Sequence, residues 1–294
     1  MPVLKFQHPI SLALGGGGAR GFAHIGVLRV LQREGIHIGQ ISGTSMGSIV
    51  GAVYAQTRDA NITEEKLKRF LQAPIFQQSQ SAVPVQSGPG SFLEQLANQF
   101  GQNETLAEMQ ATIAQRDAAM KAALTELLSD GRIQECAIPY AAVASDLLSG
   151  EEVILTRGSI VQAVLASSAL PGVFSPVKVD DYLLVDGAAT SSVPVRAARF
   201  LKPKYKVVAV DVSAQLAPHP DLSNFFQIIM RSNAITGKCY QKQLLAEADV
   251  LVQPHVKLFN WSEFQNVDDF IAEGEQAAVK EILQIKKATK IFSM

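Results

Sequence analysis

The chain has 294 residues, 47% of them apolar and 18% charged, with 26 basic against 27 acidic side chains. That length allows one large domain or two small ones and a core that needs no disulfide staples, while a net charge of −1 excludes a strongly basic nucleic-acid binder. High apolar content with little charge also excludes intrinsic disorder.

The elements come in α/β order. Ile10 to Leu14 reads as a buried strand, closed by Gly15-Gly16-Gly17-Gly18. From Gly21 to about Glu34, Phe22, Ile25, Val27, Leu28 and Leu31 recur at helical spacing, and Gly35 ends the run. Ile36 to Ser42 gives a second strand, and Met46 to Gln56 a helix of small and apolar residues. Thr63 to Leu71 is helical, Ser79 to Ser91 is a Ser/Gln/Pro/Gly loop, and helical patterns return at Phe92 to Phe100 and Thr105 to Asp130. A loop that long in a compact domain is usually functional. Strands follow at Tyr140 to Ala144, Glu152 to Leu155, Leu183 to Val185, Val207 to Asp211 and Val250 to Gln253, with helices at Ile160 to Ser167 and about Val267 to Lys287. Strands alternating with helices predict a mainly parallel sheet, here with a helical insertion at about 59–135.

Two turns carry chemistry. Gly15 to Gly21, between a strand and a helix, lets backbone N–H groups converge at a helix N-terminus, where a phosphate or an oxyanion can sit. Gly16, Gly18 and Gly21 also satisfy G-x-G-x-x-G, but the second strand ends Ile41-Ser42-Gly43-Thr44 without the carboxylate that a dinucleotide ribose requires. A purely structural glycine turn is the third reading. The same strand runs into Gly43-Thr44-Ser45-Met46-Gly47, a G-x-S-x-G in the strand-to-helix context of a nucleophile elbow.

A serine nucleophile needs a base. Of five histidines, only His219 and His255 follow Ser45. His219 sits in a Pro-His-Pro loop, His255 follows a strand and suits a triad better, and His24 lies in the first helix as a packing residue. Asp186, at the end of the strand Tyr182-Leu183-Leu184-Val185, is the other base, with an Asp-Gly turn as its bland reading.

Gly16-Gly17-Gly18-Ala19-Arg20-Gly21, Gly43-Thr44-Ser45-Met46-Gly47 and Asp186-Gly187-Ala188, in that order, resemble the patatin-like phospholipase family. Further matching segments are Gly21 to Leu28, Ala144 to Leu147 with Gly150-Glu151, and Ala166 to Pro176, so the likeness runs from about 10 to 215. It implies a three-layer α/β/α sandwich and a serine hydrolase of lipid acyl esters that uses a Ser-Asp dyad and neither metal nor cofactor. Ser45 would be the nucleophile, Asp186 the proton acceptor, and the N–H groups of Gly16, Gly17 and Gly18 the oxyanion hole. Arg20 would anchor that loop or meet an acidic head group. The resemblance places a catalytic domain at 10–215; residues 216–294, which match nothing specific in the family, are expected to add a C-terminal strand and helices packed on the same domain. A non-catalytic lipid or acyl-phosphate binding protein is the alternative.

Cys136 and Cys239 are too few for a disulfide framework or a zinc site, and no stretch reaches the roughly 18 apolar residues of a spanning helix. Met1-Pro2-Val3-Leu4-Lys5 opens no signal peptide. The expectation is a cytoplasmic protein of open oligomeric state whose partner is a lipid or acyl ester, not a nucleic acid. Membrane contact would be transient, through Arg196, Arg199, Lys202, Lys204 and Lys206 or through a lid at Phe92, Leu93 and Leu96. The bland readings are a solvated helix end and helix packing.

Overall fold

The computed structural model describes residues 8–73, 106–129, 131–216, 222–223, 225–256 and 262–290. Strands β1 (Ile10–Leu14), β2 (Ile38–Thr44), β3 (Tyr140–Asp146), β4 (Glu152–Leu155), β5 (Val177–Val179), β6 (Tyr182–Asp186), β7 (Lys206–Val210) and β8 (Val250–Val252) form one eight-stranded sheet. Its order is β5-β6-β3-β2-β1-β7-β8, with β4 pairing to β3. β3, β2, β1, β7 and β8 are parallel, while β4, β5 and β6 run antiparallel to their neighbours. Every residue of β1 and β3 is buried, the continuous run expected of strands covered on both faces.

Nine α-helices occur among the described residues: α1 (Ala23–Arg33), α2 (Met46–Thr57), α3 (Ala60–Phe70), α4 (Leu106–Leu128), α5 (Ile160–Ser167), α6 (Ala188–Ser191), α7 (Val195–Leu201), α8 (Phe225–Leu245) and α9 (Val267–Ala288). The larger core joins α1, α2 and α9 to one face of the sheet, and α2 is buried at every position from Met46 to Ala55. On the other face, Val195 and Ala198 of α7 meet Ala13, Val207 and Ala209. Helices on both faces make this a three-layer α/β/α sandwich. α9 lies along α1 in the larger core, where Phe270, Ile271, Ala278 and Ile285 are buried.

Helix starts follow ordinary capping physics. The Asp59 carboxylate accepts the N–H groups of Asn61 (2.8 Å) and Ile62 (3.0 Å) to open α3, and Ser159 Oγ accepts Gln162 N–H at α5. Within the insertion, α4 buries Met120, Leu124, Leu127 and Leu128. The Ser79 to Ser91 loop, the Phe92 to Phe100 helix and the Phe92, Leu93 and Leu96 lid lie outside the described residues.

Candidate active site

The sheet register brings Ser45 and Asp186 together. β2 and β4 both pair with Ala142 and Val143, so they occupy opposite edges of β3. β4 and β6 both pair with Ala144 and Ser145, so β6 must share the β2 edge. β2 ends at Thr44 opposite Val143, and the antiparallel β6 ends at Asp186 opposite Ala144. The two strands therefore meet tip to tip, which brings the Ser45 hydroxyl within reach of the Asp186 carboxyl.

Ser45 sits at φ 53°, ψ −126°, a conformation a non-glycine residue rarely adopts. It is held by its neighbours. A Cβ on Gly43 would strike the backbone of Gly47 and Ser48, and one on Gly47 would strike the carbonyls of Leu14 and Gly15. Only glycine fits either place, which is the physical content of G-x-S-x-G. The Ser45 N–H is secured by Ser167 at the end of α5, through both its carbonyl and its Oγ (3.1 Å each). Ser167 Oγ in turn donates to Val143 O at 2.6 Å, and its carbonyl also receives the Gly187 N–H at 3.4 Å. One residue thus ties the serine turn to the aspartate turn. The family likeness covered Ser167, yet nothing in its local sequence signalled this role.

Asp186 is buried. Burial pushes its carboxyl up to about 6, against hydrogen bonds from Ser45 and from Ala188 N–H (2.9 Å) that pull it down. A carboxylate of that basicity, touching a hydroxyl at a helix N-terminus, can take the hydroxyl proton.

The glycine loop lies beside them. The Gly16 N–H is committed to Ser192 O at 2.8 Å, so Gly16 is not a free donor as the sequence reading expects. It is close for another reason, since a Cβ there would stand 3.1 Å from Ser45 Cβ. Gly17 and Gly18 are partly exposed, and no partner for their N–H groups occurs among the described residues. Gly18 adopts φ 57°, a left-handed turn that suits glycine.

Under the loop lies a buried polar layer. His24 Nε2 donates to Gly15 O at 2.7 Å; since a carbonyl only accepts, that nitrogen carries the proton. Burial lowers the imidazole to about 4, leaving a neutral ring that fixes the loop as well as packing. Arg20 is also buried, and burial lowers its guanidinium to about 10 while Asp211 and Glu263 oppose the shift. Arg20 thus lies inside the molecule, beneath the loop. Asp211 accepts from Ser213 N–H and Oγ, Gln241 Nε2 and Gln253 Nε2 at 2.6–3.0 Å.

Other candidates are not brought to the site. His255 is exposed just beyond β8, three strands from β2 and so about 14 Å away at ~4.8 Å per strand. His219 lies outside the described residues. Arg196 is paired with Glu247, and Arg199 and Lys206 with Asp249, so much of the basic cluster is locally neutralised. Among the described residues, no group of three or more His, Cys, Asp or Glu could hold a metal, and no helix is long and apolar enough to cross a membrane.

The family described as patatin-like phospholipase matches residues 12–199, a span that contains Ser45, Asp186 and the glycine loop. The chain belongs to that family. An uncharacterised NTE family protein of Mycobacterium tuberculosis is 33% identical over 193 residues, 63% of this patatin-like chain and 44% of the relative. Human patatin-like phospholipase domain-containing protein 6 is 30% identical over 218 residues, 74% of this chain and 14% of that one. The chain therefore spans less than half the length of these relatives. In fold it is similar to VipD from Legionella pneumophila, with a TM-score of 0.51 at 14% identity, covering 98% of this chain and 68% of VipD.

Proposed function

We propose that this protein is a serine hydrolase of lipid acyl esters, of the phospholipase, lysophospholipase or esterase type. The observation that carries the reading is the meeting of Ser45, on its strained turn, with the buried Asp186 carboxyl where the tips of β2 and β6 come together on β3. Asp186 takes the Ser45 proton as Oγ attacks the ester carbonyl. The N–H groups of Gly17 and Gly18 receive the negative charge that develops on the carbonyl oxygen. The protonated Asp186 then passes its proton to the departing alcohol, leaving an acyl-serine. A water molecule, deprotonated by the same carboxylate, attacks the acyl group and releases a fatty acid with Ser45 restored. Protein groups and water balance each step. Arg20, Gly21, Gly43, Gly47, Gly187 and Ala188 shape the turns and do not touch the reacting atoms.

A fluorophosphonate probe tests this directly. It is expected to label the wild type at Ser45 and to leave Ser45→Ala unlabelled, while Asp186→Asn loses hydrolysis of p-nitrophenyl esters. Well-folded protein that neither labels nor hydrolyses would instead support the non-catalytic lipid or acyl-phosphate binding role. Full activity in Asp186→Asn with loss in His255→Ala would replace the dyad by a triad. The reading places the protein in the cytoplasm, meeting lipid at the membrane surface.

A further inference from the structure

Two apolar tips project from the sheet edge on which Ser45 and Asp186 lie. The first is the β3–β4 turn. Ala144 is level with Asp186, β3 runs two residues further to Asp146, about 7 Å at ~3.3 Å per residue, and the Leu147–Ser149 turn caps it there. Leu147 is 53% exposed and Leu148 70%, with exposed Tyr182 beside them at the start of β6. This turn is preformed. Asp146 accepts Ser149 N–H (3.0 Å), Ser149 Oγ (2.8 Å) and Leu183 N–H (2.9 Å), and Leu147 N–H donates to Leu183 O. Glu151 closes this turn, and Asp180 and Asp181 immediately precede Tyr182, so the tip suits a neutral or zwitterionic surface rather than a strongly anionic one.

The second tip is the start of α8. Gln241 reaches Asp211 at the ends of the parallel strands, and the chain after α8 returns to their opposite ends, where Asp249 N–H donates to Val207 O. The earlier turns of the same axis therefore run past the strand ends toward the site side. Phe225 lies sixteen residues before Gln241, about 24 Å of helix at ~1.5 Å per residue. Phe225, Ile228, Ile229 and Ile235 share one helix face and are exposed, Phe225 at 78%. The opposite face buries Gln227, Gln241 and Leu244. α8 holds no acidic residue, while Arg231, Lys238 and Lys242 are basic.

We propose that the Leu147–Leu148 turn and the Phe225–Ile229 end of α8 are the docking points for a phospholipid surface, seating the Ser45 edge of the sheet against it. The choice of occupant rests on three observations: the tips come from unconnected elements, both pass the same edge, and that edge carries Ser45 and Asp186. An interface between two proteins would not require the apolar points to bracket the site edge, whereas a lipid plane that delivers substrate to the site does. The proposal rests on the lipid-hydrolase reading.

The test measures binding separately from catalysis. Ser45→Ala protein is sedimented with phosphatidylcholine vesicles, which it would leave intact, and compared with the same protein carrying Leu147→Ser/Leu148→Ser or Phe225→Ser/Ile228→Ser. Each pair is expected to lower the bound fraction about tenfold or more. With Ser45 restored, the same pairs should retain wild-type rates on a soluble short-chain ester and lose about tenfold on vesicles. Single Leu148→Ser and Phe225→Ser variants, at the most exposed positions, serve if a pair fails to fold. Undiminished binding in all variants, or no vesicle binding at all, overturns the proposal. So does a dimer in solution that the substitutions dissolve without changing vesicle binding, since the tips would then pair copies of the chain. Wild-type protein without soluble-ester activity would instead strike the hydrolase reading, leaving vesicle binding to be judged by itself.

Discussion

At the scale of single residues, Asp186 sets opposite demands on activity and stability. In the proposed role of base it acts ionised, so kcat/KM on a soluble ester should fall with an apparent pKa near 6 as the pH is lowered. A flat profile between pH 5 and 8 would remove it from that role. Its folded carboxyl titrates near 6 and its unfolded one near 3.8, so between these values the folded state keeps a proton that the unfolded state has lost. The contribution to stability is full below about 3.8 and is lost as pH rises through about 6, a swing on the order of 2–3 kcal/mol. Asp186→Asn keeps an oxygen for the Ala188 N–H but never ionises. Its gain in unfolding free energy should be about 1–2 kcal/mol larger at pH 8 than at pH 5, measured by urea denaturation at both. Ser167 offers a different split. Ser167→Ala removes the hydroxyl link between Ser45 N–H and Val143 O and should cost about 1–2 kcal/mol of stability. Because the lost link positions Ser45 and touches no substrate, kcat should drop by about tenfold or more with KM little changed. A matching rise in KM would point to a general loosening instead.

At the scale of elements, α1 and α9 pack backbone to backbone. A Cβ on Gly26 would strike the Ile271 carbonyl, and one on Gly274 the Ala23 carbonyl. Gly26→Ala and Gly274→Ala should each destabilise the protein by about 1–3 kcal/mol through forced separation of the helices, read as a lowered urea midpoint. Unchanged midpoints would mean that the helices part freely. This pairing was not legible in the sequence, because a helical glycine signals neither its partner nor its distance. Other elements were more legible. The strand Glu152–Leu155 and the helix Ile160–Ser167 fall where their patterns put them, since both are bounded by turn residues. The 21-residue α8 escaped for a physical reason. Periodicity finds helices that dock through an apolar face, and α8 docks through Gln227, Gln241 and Lys238 with its isoleucines outward. β5 escaped because three residues are too short a pattern. Of the candidate site, Ser45 and Asp186 were marked by glycine turns that need special backbone geometry. The commitment of Gly16 N–H to Ser192 was invisible, because it depends on a segment 176 positions away coming under the loop.

At the scale of the whole molecule, the walls of the candidate site include chain beyond the matched span 12–199. Gly15 N–H donates to Val210 O, and a Cβ on Gly17 would stand 2.8 Å from Val212, so β7 and the residues after it set the back wall of the glycine loop. Asp211 is held there by Gln241 and Gln253, and Arg20 sits in the field of Asp211 and Glu263. Without β7, central β1 becomes a bare edge with unpaired N–H and C=O groups, and without α9 the buried face of α1 meets water. We therefore expect residues 1–203 alone to be aggregated or, where soluble, to bind a dye for exposed apolar surface and to unfold without a sigmoidal transition. The full chain should unfold cooperatively, and far- and near-ultraviolet circular dichroism on both would compare them. A shortened chain that unfolds cooperatively and still reacts with a fluorophosphonate would mean that the last third is an accessory to the site rather than part of the wall that shapes it.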